Sequence, residues 1–334
     1  MSNPKPLKKS YALAVDIGGT KMAAAIVDIL GQQVTEISTE PVPRDCNGLA
    51  HPESIIQWIG AQLSVNEYPL EGIGLSLCGN VDEDTGFVPL SANLQWRQIP
   101  FGQMVASATS LPVMAATDVR MAALAEATWG VARVVDFFAW ATIGTGFGGY
   151  LFLDGKLYRG FHGYAGNFGH NTWDEINGVM CGCGKKGCVE TFVSGPGIAR
   201  AGQKIAASVE SSLLSIQAKN GPIESRDVFM AASAGDSEAK TILENAQRLT
   251  AISLAGLVNI LDLEMIVIGG GVASASPDYV EQISQLIRQY LMTEESKRDL
   301  RVEPESFSNA ALIGAAGDVF VKRGLLSLRE RIQI

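Results

Sequence analysis

The stretch Tyr11-Ala12-Leu13-Ala14-Val15-Asp16-Ile17-Gly18-Gly19-Thr20-Lys21, followed by the apolar residues 22–27, decides how this chain is read. Two apolar runs of strand length flank a glycine pair. Glycine turns tightly without a Cβ in the way, so the segment is predicted to be a β-hairpin. The pattern recurs in mid-chain. Residues 136–143 are mostly apolar, and Gly144-Thr145-Gly146-Phe147-Gly148-Gly149 makes the turn. Residues 150–153 continue as a strand, and Asp154-Gly155 turns the chain into residues 156–158. Two halves that each open on a glycine-turned hairpin point to an ancient duplication. A third glycine run, Gly269-Gly270-Gly271, follows the strand expected over residues 264–268, which is apolar after Glu264.

Glycine loops behind strands let backbone N–H groups approach phosphate oxygens. Gly144, Gly146 and Gly149 satisfy G-x-G-x-x-G, but that dinucleotide fingerprint requires a helix after it, and here a strand is predicted. No G-x-x-x-x-G-K-[ST] occurs either. The loops therefore read as hairpin phosphate cradles. Their candidate nucleotide-binding residues are Gly18, Gly19, Thr20 and Lys21, then Gly144, Thr145 and Gly146, then Gly270 and Gly271. Asp16, at a strand end beside the first loop, is a candidate to hold Mg²⁺ directly or through water.

Between the hairpins, residues 52–63 have helical spacing, and residues 72–77 and 111–116 read as buried strands. Asp118 falls where the second of these meets an Ala- and Leu-rich helix over 121–129. It is either a reactive carboxylate at a strand end or the cap of that helix, and both roles are compatible. Further on, Asp236-Ser237 caps a long helix with Ile242, Ala246, Leu249, Ser253 and Gly256 on one face, and a final helix starts near Ile313.

Composition narrows the class. A chain of 334 residues, 47% hydrophobic, with 36 Gly and 13 Pro, suits two or three globular domains and excludes a disordered or collagen-like protein. With 26 Lys+Arg against 35 Asp+Glu the net charge is −9, which argues against nucleic acid held by bulk electrostatics. No apolar run reaches the ~18 residues of a membrane span. The basic residues 1–10 are followed too soon by Asp16 and Gly18 for a signal peptide. A soluble intracellular protein is expected. Of five cysteines, Cys46 and Cys78 stand alone, whereas Cys181, Cys183 and Cys188 form C-x-C-x₄-C shortly after His170. An odd count at such spacing is a poor disulfide framework. Three thiolates and an imidazole would close a tetrahedral, structural Zn²⁺ site with no open position for catalysis. The pinned loop is expected to carry Glu190.

Taken together, Asp16-x-Gly-Gly-Thr-Lys21, Gly144-Thr-Gly-x-Gly148, Gly169-His170 and C-x-C-G-x-x-G-C-x-E ending at Glu190 resemble the ROK family of bacterial sugar kinases and sugar-responsive repressors. Ser194-Gly195, Ile268-Gly-Gly-Gly-Val272 and Ala311-Leu-Ile-Gly-Ala-Ala316 extend the resemblance over about residues 13–316. Gly79-x-Val81-Asp82 and Asn93-Leu94-x-Trp96 resemble its sugar-kinase branch, glucokinases included. The resemblance implies an α/β, actin-like (ribonuclease H-like) ATPase fold of two lobes with a central cleft. Residues 1–118 would form the first lobe, with a C-terminal helix over 317–334 packing back on it, and residues 119–316 the second, with the zinc loop. It further implies MgATP at the glycine loops and γ-phosphoryl transfer to a hydroxyl, the 6-hydroxyl, of glucose or a glucose-like hexose. A cytoplasmic homodimer is expected. Asp118 matches the family's catalytic base. Asn93, His170 and Glu190 match sugar-contacting positions, and Thr117, Asp118 and Asn167 belong to the same substrate set.

Three departures stand out. Thr117-Asp118 replaces the family's usual Asn-Asp, Arg120 replaces a further Asn, and Asn167 stands where the family carries Glu. An amide both donates and accepts and binds hydroxyls less strongly than a carboxylate. A changed sugar preference is therefore expected, with a kinase for an amino sugar or another hexose as one alternative. A non-catalytic sugar-responsive regulator is another. Family repressors carry a DNA-binding helical module ahead of the first hairpin, and about ten residues precede Tyr11.

Overall fold

The apolar run around Val15 is buried on both faces, as a central strand must be, and forms β1 (Tyr11–Ile17). Gly18 N–H bonds to the Lys21 carbonyl at 3.0 Å and turns the chain into β2 (Lys21–Asp28), which runs antiparallel with Asp16 opposite Ala23. β3 (Ser38–Pro41) pairs on the far side of β2, and the amphipathic helix α1 (Pro52–Ser64) buries Ile55 and Ile59. The chain returns in β4 (Leu70–Leu77), parallel to β1. It then folds a small antiparallel sheet from β5 (Asn80–Asp82), β6 (Phe87–Ser91) and β7 (Trp96–Ile99). Helix α2 (Phe101–Thr109) leads to β8 (Val113–Thr117), parallel to β4, and the sheet order is β3-β2-β1-β4-β8. Helix α3 (Asp118–Thr128) follows at once; its residues from Arg120 onward are all buried.

The second half repeats this plan. β9 (Phe138–Ile143), β10 (Phe147–Leu153) and β11 (Lys156–Tyr158) form an antiparallel meander. Strands β12 (Met265–Gly269) and β13 (Arg301–Pro304) then add in parallel to give the order β11-β10-β9-β12-β13. Both sheets thus share strand order and strand sense, in keeping with the duplication read from the two hairpins. The glycine turn is shorter than expected, because the strand already starts at Phe147; a strand and not a helix follows it. Helices α4 (Glu190–Val193), α5 (Gly195–Ser208), α6 (Leu213–Gln217), α7 (Ser225–Ser233) and α8 (Ser237–Leu261) come between β11 and β12. Asp236 caps α8 by accepting from Ala239 N–H at 2.9 Å. Helices α9 (Tyr279–Ile287) and α10 (Glu294–Asp299) precede β13, and α11 (Ala310–Lys322) ends the described fold.

This computed structural model describes residues 9–328; the basic residues 1–8 and residues 329–334 lie outside the described residues, and the expected C-terminal helix over 317–334 ends already at Lys322, because Gly324 follows it with a positive φ. Among the described residues no helix is long and apolar enough to cross a membrane. The chain divides into two units: one runs to Val134 and resumes at Ser306, and the other is Val135–Glu305. The division differs from the lobes expected at 1–118 with 317–334, and 119–316. Helix α3 stays with the first unit because it packs on α11 and is tied to that segment by buried charge. Arg120 Nη2 meets Asp318 Oδ1 at 3.0 Å, and the fully buried Glu126 carboxylate accepts from Ser306 Oγ at 2.7 Å and from Ser306 N–H. The second of these ties also draws the return point back to Ser306.

Candidate active site

In the first unit, three strand ends line up. Register places Asp16 of β1 beside Ser76 of β4, and Ser76 beside Ala116 of β8, two residues before Asp118. Ser76, wholly buried, donates to Asp16 Oδ1 at 2.6 Å. Burial raises the Asp16 carboxyl above its ordinary value, opposed by that bond and by Lys21. Asp118 is the first residue of α3 and accepts from Val119 N–H at 2.9 Å. The helix cap is Thr117, whose hydroxyl accepts from Arg120 N–H at 3.2 Å, so Asp118 is free of the capping role that its position suggested. Burial pushes the Asp118 carboxyl up to about 6, with the charge of Asp16 adding to the rise and the Val119 bond opposing it. A buried carboxylate at a strand end beside a glycine loop offers the hard oxygen donor that a divalent cation takes, so Asp16 fits Mg²⁺.

The first glycine loop is close to Asn93, another unit 1 residue expected to touch substrate. A Cβ on Gly19 would lie 3.2 Å from the Asn93 Cβ, and Arg44 Nη2 donates both to the Asn93 carbonyl, at 2.7 Å, and to the Gly19 carbonyl. Thr20, Lys21 and Asn93 are exposed.

In the second unit, the expected metal residues come together. Single ligand atoms of His170, Cys181, Cys183 and Cys188 all lie within 4.8 Å of one another. Cys181 Sγ is 3.5 Å from His170 Nδ1 and Cys183 Sγ is 3.6 Å from Cys188 Sγ. A tetrahedral zinc with three thiolates and one imidazole has edges of roughly 3.5–3.8 Å; these two pairs already match, and a small inward shift of the other ligand atoms lets the four residues fit Zn²⁺. Glu190 opens α4 directly after the cluster; its Oε1 is 3.5 Å from Cys181 Sγ and its Oε2 accepts from Phe147 N–H at 2.9 Å. It is thus no mere exposed helix-start residue. Gly144, Thr145 and Gly146 form the turn between β9 and β10, with Gly144 N–H bonded to the Gly146 carbonyl at 3.0 Å. Asn167 is exposed, and its amide Nδ2 donates to the Tyr164 carbonyl at 2.9 Å. This leaves its Oδ1 as the acceptor in the place where a carboxylate would offer two ionised oxygens. In the third loop, Gly270 N–H is bonded to Glu305 Oε1 at 3.1 Å, so that amide is committed within the protein; Gly271 is exposed.

Sequence reading did not single out Ser76, Arg44, Glu126 or Glu305. Ser76 left a signal, a lone hydroxyl in an otherwise apolar strand. Arg44 and Glu305 left none, since the loop atoms they hold, the Gly19 and Asn93 carbonyls and the Gly270 N–H, are far away in the chain.

The paired five-stranded sheets, the carboxylates at strand ends and the Cys₃His loop define a protein of the actin-like ATPase fold. The ROK family model matches residues 12–320, and the chain belongs to the ROK family. It is 34% identical over 286 residues to a glucokinase of Halalkalibacterium halodurans, covering 84% of this chain and 86% of that one. It is 30% identical over 306 residues to an N-acetylmannosamine kinase of Citrobacter koseri, covering 91% and 97%. Among solved structures, a ROK family glucokinase from Streptomyces griseus in complex with glucose and AMPPNP superposes with a TM-score of 0.74. That protein is 29% identical, and the match covers 92% of this chain and 98% of that one.

Proposed function

We propose that this protein is an ATP-dependent kinase that transfers the γ-phosphoryl group to the 6-hydroxyl of glucose or a glucose-like hexose. The observation that carries the reading is Asp118, a carboxylate at a strand end with its pKa raised to about 6 beside Asp16. Such a group is ionised at neutral pH yet basic enough to take a proton in the transition state. On this reading the sugar O–H gives its proton to Asp118 as its oxygen bonds to phosphorus, and ADP leaves with the electrons of the broken P–O bond. Mg²⁺, when bound, neutralises phosphate charge. Asp16 would hold it, and Gly18, Gly19, Thr20, Lys21, Gly144, Thr145, Gly146 and Gly271 would face the nucleotide. Gly270 contributes chain shape more than an N–H donor. Asn93, Thr117, Asn167, His170 and Glu190 are assigned to the sugar. The zinc held by His170, Cys181, Cys183 and Cys188 is structural, and a cytoplasmic homodimer completes the reading.

Asn167 favours a second reading within the same chemistry. Its neutral acceptor suits an amino sugar or another modified hexose, and the similarity to an N-acetylmannosamine kinase supports this. The test is ADP release by the folded, zinc-loaded protein over glucose, mannose, N-acetylglucosamine, N-acetylmannosamine and several polyols. Turnover of at least one hexose is expected. Absence of turnover on all of them overturns the kinase reading in favour of a non-catalytic regulator.

A further inference from the structure

The residue after the metal cluster that matches a sugar contact has one oxygen turned to something else. Glu190 Oε2 accepts the N–H of Phe147, the residue that ends the second glycine turn. Gly146 leaves room for this: a Cβ there would lie 2.6 Å from the same oxygen. The other end of the turn is held from the same segment, since Gly195 N–H donates to the Gly144 carbonyl at 2.7 Å. Residues 144–147 are therefore pinned at both ends by residues 190–195.

That segment is in turn fixed to the metal loop. Thr191 donates to the Cys188 carbonyl through its N–H at 2.9 Å and its hydroxyl at 2.7 Å. Val189 N–H donates to the Asn171 carbonyl, next to His170, at 2.9 Å. We propose that Glu190 is a positioning residue for the glycine turn at residues 144–147, and that the His170/Cys181/Cys183/Cys188 metal site sets the geometry of that turn through it. Loss of the metal would then loosen nucleotide binding as well as the sugar side. The consequence for nucleotide rests on the kinase reading; the mechanical link does not.

The Phe147 amide reports the link directly. Hydrogen exchange at Phe147 is measured in the zinc-loaded full-length protein, in protein stripped by a chelator, and in Glu190→Ala, Glu190→Gln and Gly146→Ala. Amides of Ile266 and Val267 in β12 serve as the control for global unfolding. Losing one buried hydrogen bond should speed Phe147 exchange by on the order of tenfold in Glu190→Ala. Gly146→Ala, whose methyl displaces the carboxylate, should do the same if Glu190→Ala proves unstable. Glu190→Gln keeps an oxygen to accept from Phe147 and should stay within about threefold of wild type. Stripping zinc should reproduce the Glu190→Ala effect and add little to it. AMPPNP affinity, measured without sugar, should weaken in parallel, by about tenfold in Glu190→Ala and in stripped wild type. Unchanged Phe147 exchange in Glu190→Ala or in stripped protein overturns the proposal, as does equal loss in Glu190→Gln and Glu190→Ala. If AMPPNP fails to bind even to wild type, the kinase reading falls, and the exchange data still decide the role of Glu190.

Discussion

On the kinase reading, Asp118 is a carboxylate that trades stability for chemistry. Between its ordinary 3.8 and about 6, the folded chain keeps a proton on Asp118 that the unfolded chain has already released. Stability therefore falls as pH rises through that window, and the buried charge is a standing cost above it. Asp118→Asn removes the charge and should raise the melting midpoint at pH 8. The same change should lower kcat by roughly 10²–10⁴-fold with AMPPNP affinity within a few-fold of wild type. A near-normal kcat would show that another group takes the proton. In the wild type, kcat/KM should decline below about pH 6 as Asp118 protonates, and a profile flat to pH 5 would contradict the raised value. Asn167→Glu should raise kcat/KM for glucose relative to the amino sugars, because an ionised acceptor binds hydroxyls more strongly. An unchanged ranking would clear position 167 of that role. The Cys₃His cluster was legible in the sequence, since residue type and local spacing announce it, and Asp118 was singled out at the junction of a strand and a helix. The capping role of Thr117 was not, because Thr and Asp are adjacent and both are good caps.

At the scale of elements, the two hairpins and α1 follow from local periodicity with ends within a few residues of the expectation, and α8 starts at the expected cap. The small sheet of β5 to β7 was not foreseen: its strands are short, and β7 has left-handed Gln95 and Gln98 just before it and within it. What holds α11 against the first sheet is also tertiary. A Cβ on Gly74 would fall 1.9 Å from the Ala315 carbonyl oxygen, so strand and helix backbones meet with no side chain between them. Gly74→Ala must push α11 outward, and overpacking of this kind costs about 1–3 kcal/mol or more. Urea unfolding should show a lower midpoint with an unchanged slope. A midpoint equal to wild type would mean that the contact gives way without strain. The first turn of α3 shares in this packing: Arg120 pairs with Glu83 at 3.0 Å and with Asp318 at 3.0 Å, and Lys322 meets Asp318 at 3.1 Å. Arg120 thus joins α3 to α11 and to the turn after β5.

At the scale of the whole molecule, the chain leaves its first unit after Val134 and comes back at Ser306 to complete it. Helix α11 then supplies buried Leu312, Ile313, Val319 and Phe320 to that unit. A chain ending at Glu305 should lose exchange protection at Leu13 and Val15 of β1, while Ile266 of β12 keeps far more of its own. Retained protection at β1 would show that the first unit does not need the returning helix. By itself the sequence pointed to the strands and glycine turns, the Cys₃His cluster and the repeated plan, because each is written in neighbouring residues. Only the tertiary structure decided that Glu126 anchors Ser306, 180 positions away, and that Arg120 meets Asp318, 198 positions away. Neither could it be read in advance that Glu190 holds Phe147. A buried polar group must find a partner, but nothing in its own neighbourhood says which distant group packing will deliver.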